Sequence, residues 1–251
     1  MIKISIITAC FNAEKTIADC LKSVNSQTHP DIEHIIIDGA STDSTMLILK
    51  KHCDASTKII SEPDEGIYFA LNKGIAMATG DVIGFLHADD VFNDDFVLRS
   101  VASTFETTLT AACYADLLYV KQDQTNIIVR EWKSSPYTKG MFRRGWMPPH
   151  PTFYATRSTY ASFGSFDTSL NIGADWDLLV RFMEIHDISS FYVPEVWIRM
   201  RLGGTSNRSI QNIVRNNWET WNRFREHFGF LPSLLFPPLK WIHRLKQFKH
   251  S

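Results

Sequence analysis

Four short apolar runs, each followed by a polar turn and then a stretch with helical spacing, constrain the fold of this chain most. They are KISIIT (3–8), EHIIIDG (33–39), STKIIS (56–61) and DVIGFL (81–86). Each is nearly continuous in Ile, Val, Leu or Phe, which is how a strand reads when helices cover both of its faces. Between them, AEKTIADCLKSVNSQ places Ile17, Leu21 and Val24 on one helical face, with Asn12 as the expected N-cap. STDSTMLILKKH and GIYFALNKGIAMATG read as the second and third helices, the latter closed by Gly80. Strands alternating with helices imply an α/β fold with a mostly parallel sheet and right-handed crossovers. Ligands of such sheets sit beyond the carboxyl ends of the strands. That edge collects TACFN (8–12), Asp38, EPDEG (62–66) and HADD (87–90).

From Phe105 the pattern changes. AACYADLLYV and NIIVREW read as an antiparallel hairpin around KQDQT, followed by a loop rich in Pro, Gly and Arg (133–151) and a short strand, TFYATR. ADWDLLVRFMEIH reads as a helix with Leu178, Leu179, Phe182 and Ile185 inward. FYVPEVWIRMRLGG reads as a strand pair or one bent strand, and NIVRNNWETWNRFREHF as a long helix. The expected organisation is one domain over 1–206, in two halves divided at the change of pattern (1–104 and 105–206). A C-terminal helix and tail follow over 207–251. In that tail Trp241, Leu245 and Phe248 share a helical face, Lys240, Arg244, Lys246 and Lys249 lie elsewhere, and no acid follows Glu226. A basic amphipathic segment of this kind suits an anionic membrane surface at about 1 kcal/mol per basic residue; packing on its own domain or a partner chain is the other reading.

Composition narrows the class. A net charge of −1 gives no field for nucleic acid, and 44% hydrophobic content over 251 residues supports a substantial core. The four cysteines are dispersed with no C-x-x-C pair, which argues against a disulfide framework or zinc site and for a reducing compartment. MIKISIITACFN has an apolar run too short for a signal peptide, so it reads as the first strand. A cytoplasmic protein, peripheral at most on the inner membrane face, is expected.

The fourth run ends on HADD, two adjacent carboxylates after a buried strand. Asp89 and Asp90 offer the hard oxygen ligands that Mg2+ or Mn2+ take alongside phosphate oxygens and water. The plainer explanation is a cap for the following helix, which Asp94 can supply alone. Asp38 could accept hydrogen bonds from a base or ribose, or simply form a turn before Gly39. TACFN offers backbone N–H groups, a hydroxyl and an aromatic ring at the first strand–helix turn. The G-x-G-x-x-G fingerprint of dinucleotide sites is absent.

Taken together, SIITACFNAEKTIADCLKSVNSQ, IIIDGASTDST, NKGIAMATGDVIGFLHADD and ADWDLLVRF resemble the family-2 glycosyltransferases of GT-A fold, over about residues 2–206. MPPHPTFYATRSTYASFGSFDTSLNIGADWDLLVRF is also similar to members that build bacterial surface polysaccharides. The resemblance implies an inverting transferase moving one sugar from a nucleotide-sugar donor, expected to be UDP-linked, to a saccharide or lipid-linked saccharide acceptor. By position, Thr8, Ala9, Phe11 and Asn12 would line the nucleotide pocket. Asp38 would bind the base, and Asn72 and Lys73 would sit near the donor. Asp89 matches the metal-binding acid of the family's D-x-D, whose first acid is replaced by His87, a candidate for the ribose. Asp90 would assist the metal. Asp175 matches the catalytic base of the E-D motif, with Ala174 in place of the glutamate. Trp176 would stack on a sugar, and His150 would contact the acceptor or a phosphate. Arg201 would help neutralise the diphosphate. The processive family members' Q-x-x-R-W motif is absent, so one sugar per acceptor is expected. The rivals are a sugar nucleotidyltransferase, disfavoured by the lack of a glycine-rich basic loop after the first strand, and a non-catalytic nucleotide-sugar-binding module.

Overall fold

The computed structural model describes residues 1–53, 56–203 and 210–229, with side chains of the last helix described from 218 onward. The first half follows the alternation of the sequence: β1 (Ile4–Cys10), α1 (Ile17–Asn25), β2 (Ile32–Asp38), α2 (Thr45–His52), β3 (Lys58–Ser61), α3 (Ile67–Met77) and β4 (Val82–Phe85). The short β5 (Val91–Phe92) and α4 (Val97–Thr108) lead into the hairpin β6 (Ala112–Lys121) and β7 (Gln124–Trp132). Then come β8 (Tyr154–Thr156), α5 (Arg157–Phe163), α6 (Ala174–Leu179), β9 (Ser190–Arg201) and α7 (Ile210–Phe228).

Among the described residues, one nine-stranded sheet runs β3-β2-β1-β4-β8-β6-β9-β5, with β7 on β6. The first four strands are parallel, and β6 and β9 are parallel to each other. Antiparallel β8 joins the two halves by pairing β4 on one side and β6 on the other. Alternate residues of β1 feed opposite cores: Ile4 and Ile6 pack with Ile17, Leu21 and Leu98, whereas Ile7 and Ala9 pack with Leu71, Phe85 and Phe153. That two-sided burial is why the strands read as unbroken apolar runs. Gly84 is required where β4 meets β8, because a Cβ there would stand 2.1 Å from the Tyr154 ring. Gly74 likewise lets α3 lie against β1, where a Cβ would fall 2.4 Å from the Ile7 side chain.

Four local expectations change. Asn12 does not cap α1, which starts after Thr16. It sits in the left-handed region (φ 49°), and its Oδ1 accepts from the Thr42 backbone N–H at 2.9 Å, tying the loop after β1 to the loop after β2. The third helix ends at Met77, before Gly80. The strand pair or single bent strand expected after Ser190 narrows to one long strand, Ser190–Arg201, its register on β6 shifting near Asp116. The helix through 174–186 converts at Val180 into a π-helical turn ending at Ile185. The wider turn changes the phase, so Ile185 is 45% exposed while Glu184 is buried, its Oε2 accepting from Tyr137 Oη and the Gly140 N–H.

α7 belongs to the main body. Phe224 is fully buried and stacks on Trp176, and the Asp177 carboxylate accepts from His227 Nε2 and Arg181 Nε, both at 2.8 Å. Burial opposes ionisation of Asp177, yet these two partners hold its pKa below the ordinary carboxylate value. The basic segment around Trp241 and Lys246 lies outside the described residues.

Candidate active site

Register places the carboxyl ends of β1, β2 and β3 side by side, with Cys10 opposite Asp38 and Asp38 opposite Ser61. Asp38 is 0% exposed. Its carboxylate accepts from Ser41 Oγ, Ser61 Oγ and the Ser41 N–H, so it pins the edge and presents no oxygen to a nucleobase. Thr8 is also buried, its hydroxyl 3.0 Å from His34 Nε2, and Ala9 is in the core. Asn12 is committed to Thr42. Phe11 is the residue of this group that faces out: it is 64% exposed and lies over Gly39, an aromatic plate at the carboxyl edge.

Asn72 and Lys73 are engaged as well. The Asn72 amide pairs with both the N–H and the carbonyl of Phe166, at 3.0 and 2.9 Å, which fastens the segment before α6 to α3. Lys73 Nζ bridges Asp64 at 2.5 Å and Glu62 at 2.6 Å, closing the loop after β3.

The HADD turn is held from three sides. Arg201, only 6% exposed at the end of β9, donates to the Asp89 carbonyl (2.8 Å), the Gln122 carbonyl (2.9 Å) and Asp19 Oδ2 of α1 (2.6 Å). With three of its five N–H groups so committed, Arg201 fixes the turn. Asp90 faces inward: Oδ1 accepts from the Arg201 N–H at 3.3 Å, Oδ2 is buried without a partner among the described residues, and burial pushes its carboxyl well above the ordinary value. The expectation that Asp90 faces a metal fails on this geometry. Asp89 keeps its side chain partly exposed. Among the described residues, no cluster of three or more His, Cys, Asp or Glu side chains could enclose a metal ion. A single carboxylate fits Mg2+ or Mn2+, which usually keep water and substrate phosphates as their other ligands.

Asp175 occupies the first turn of α6 and is half-buried. The preceding Gly173 adopts a left-handed conformation (φ 90°), and its N–H donates to Tyr68 Oη of α3 at 3.0 Å. Tyr68 therefore anchors the start of α6. Burial, then the nearby Asp175 charge, keeps its phenol protonated. Reading the sequence misses this role because Tyr68 looks like one more apolar position in GIYFALNKG, and its partner is 105 residues away.

Two histidines complete the cluster. His87 feels the charges of both Asp89 and Asp175, so residues 86 apart in sequence converge on one imidazole. His150, in the 3-10 turn His150–Thr152, stacks on Phe85 (5.4 Å) and sits edge-on to Phe166. Burial pushes it down to about 4 against the pull of Asp175, so it is neutral at pH 7. His87 Nδ1 and His150 Nε2 are both buried without a hydrogen-bond partner among the described residues. Unsatisfied buried nitrogens are uncommon and call for a partner from outside the chain. Trp176 does not face this cluster: it is 4% exposed, packed on Phe224 and His227.

Comparison with known proteins places these features. The family model for "Glycosyl transferase family 2" matches residues 5–163. An uncharacterized glycosyltransferase of Mycobacterium tuberculosis is 32% identical over 180 residues, 71% of this chain and 68% of that protein. The chain belongs to glycosyl transferase family 2. The fold is also that of S. aureus TarS, solved with UDP-GlcNAc as a 1-349 fragment: TM-score 0.67 at 15% identity, over 99% of this chain and 73% of the fragment. This chain spans 44% of the longer TarS chain. The mannosyltransferase PcManGT of Pyrobaculum calidifontis, solved with GDP-Man and Mn2+, matches at TM-score 0.65 and 16% identity, over 100% of this chain and 76% of that one. The architecture is thus GT-A: a sheet with a parallel N-terminal half, flanked by helices.

Proposed function

We propose that this protein is an inverting glycosyltransferase that moves one sugar from a nucleoside-diphosphate sugar to a saccharide acceptor. The observation that supports this most is the pair of buried imidazole nitrogens, His87 Nδ1 and His150 Nε2, left without partners among the described residues in a chain of this family. Asp175 is the general base, taking the proton of the acceptor hydroxyl as that oxygen attacks the anomeric carbon. One in-line attack inverts the anomeric centre. Tyr68 holds the start of α6 so that the base is already placed when the acceptor arrives. The free nitrogens of His87 and His150 offer partners to hydroxyls of the ribose or the transferred sugar. Phe11 gives the base a stacking surface.

Asp89 would hold Mn2+ or Mg2+ together with diphosphate oxygens, and the cation would neutralise the charge of the leaving diphosphate. Arg201 contributes by fixing the turn that carries Asp89. UDP is the expected nucleotide; TarS was solved with UDP-GlcNAc and PcManGT with GDP-Man. The basic character of residues 239–251 supports a lipid-linked acceptor at an anionic membrane face, as in surface polysaccharide assembly.

The test is calorimetric binding of UDP, GDP and dTDP, each with and without Mn2+. Mn2+-dependent binding of one nucleotide is expected, with the metal dependence lost in Asp89→Asn. Failure of all three to bind would leave the chain a non-catalytic relative.

A further inference from the structure

A second concave site lies beside the first, between α7 and the loop 167–173 that leads into the base-bearing helix. It is a cavity of about 330 Å³, within the range of small-ligand pockets, lined by Ser169 and Asn171 on the loop and by Trp218, Asn222, Arg223 and Glu226 on α7. Trp218 is 63% exposed, and no described residue covers its ring. We propose that this groove is a subsite for the acceptor saccharide, with Trp218 as its stacking plate; the assignment rests on the transferase reading above.

The chemistry of the lining favours a sugar. A pyranose has an apolar C–H face that suits an indole, ringed by hydroxyls that each need both donors and acceptors. Asn171 and Asn222 offer both, and Arg223 and Glu226, paired through Nη1 and Oε2 at 2.8 Å, present a charged pair to the ring's hydroxyls. A protein partner would call for an apolar centre, whereas Trp218 and Leu170 are the two apolar members of the eight-residue lining.

The groove is also wired to the reaction centre. The Glu219 carboxylate accepts from the Ile172 N–H at 2.9 Å, and Arg223 pairs with Asp167 and donates to Ser169 Oγ at 3.1 Å. These contacts hold the loop against α7. Ile172 is three residues from Asp175, so even a fully extended chain separates their Cα atoms by at most ~11 Å. The groove's loop therefore runs within that distance of the base along the chain. The groove would select the acceptor's penultimate sugars, and the main site would select the hydroxyl.

The full-length protein, saturated with UDP and Mn2+, is applied to an immobilised array of bacterial surface oligosaccharides. The same is done with Trp218→Ala and Glu226→Gln, whose folding is checked by thermal melting and whose UDP affinity is measured separately. Wild type is expected to capture a defined subset of glycans. Both variants should melt as wild type and bind UDP equally, while Trp218→Ala weakens glycan capture at least tenfold. Equal capture by Trp218→Ala, or a wild type that binds UDP and captures no glycan, overturns the subsite and leaves the transferase reading standing. Loss of both UDP and glycan binding in wild type overturns the transferase reading, and the subsite with it.

Discussion

Replacing Arg201 by Met removes a charged tie while keeping much of the side-chain volume. In the structure its guanidinium joins three elements: the Asp89 turn, the β6–β7 turn through the Gln122 carbonyl, and α1 through Asp19. The Asp19 carboxylate is 60% exposed, so that ion pair is worth about 0–1 kcal/mol. The two carbonyl contacts come from a buried charged donor and are worth about 1.5–3 kcal/mol each. The total loss is about 3–7 kcal/mol, a large part of the ~5–15 kcal/mol that holds a typical protein folded. At ~2–4 °C per kcal/mol for a chain of this size, the melting temperature should fall by roughly 6–28 °C. The nucleotide should also bind with weaker Mn2+ dependence, because the turn carrying Asp89 is no longer fixed. Scanning calorimetry and nucleotide titration with and without Mn2+ read both effects. A variant that melts like wild type and keeps its full metal dependence would refute the view of Arg201 as the clamp on this turn.

Gly84→Ala should drive a methyl into the Tyr154 ring and cost about 1–3 kcal/mol or more, seen as a lower urea midpoint; an unchanged midpoint would mean β4 and β8 do not pack as described. Glu33 is buried, which alone would raise its pKa. Hydrogen bonds from Lys58, Ser5 and Thr79 outweigh that and hold it at about 2, below the ordinary 4.5. Its contribution should be complete above about pH 4.5 and fade as pH falls toward about 2. The stability gap between wild type and Glu33→Gln should therefore close over that window, and a gap constant with pH would contradict the network. Tyr68→Phe strands the Gly173 N–H at a cost of about 1–3 kcal/mol. It should lower kcat with nucleotide affinity unchanged, and an unchanged kcat would remove Tyr68 from the positioning of the base.

The strand–helix alternation of the first half and the covering of its strands on both faces were legible because burial on two faces leaves an unmistakable apolar run, as in EHIIIDG. The hairpin was legible because KQDQT breaks two β-rich runs. The two-residue β5 was too short to leave a periodic signal. The π-helical turn was illegible for another reason: Ile185 continues the helical spacing perfectly, and it is the buried Glu184, gripped by Tyr137 and Gly140, that sets the phase. The site divides along the same line. Asp89, after the fourth apolar run, and Asp175, in ADWDLLVRF, could be singled out from motif and resemblance alone. The free or committed state of Asn72, Arg201 and Trp176 could not, since their partners Phe166, Asp89 and Phe224 lie 94, 112 and 48 residues away. Asp38 was nearer to legible, for Ser41 stands three residues on and is the partner an Asp-Gly turn invites.

The most direct measurement of the central claim is single-turnover sugar transfer by Asp175→Asn beside wild type, with nucleotide-sugar affinity measured on the same samples. Loss of a general base predicts transfer slower by about 10²–10⁴-fold with donor affinity unchanged. Transfer at the wild-type rate would show that Asp175 does not take the acceptor's proton.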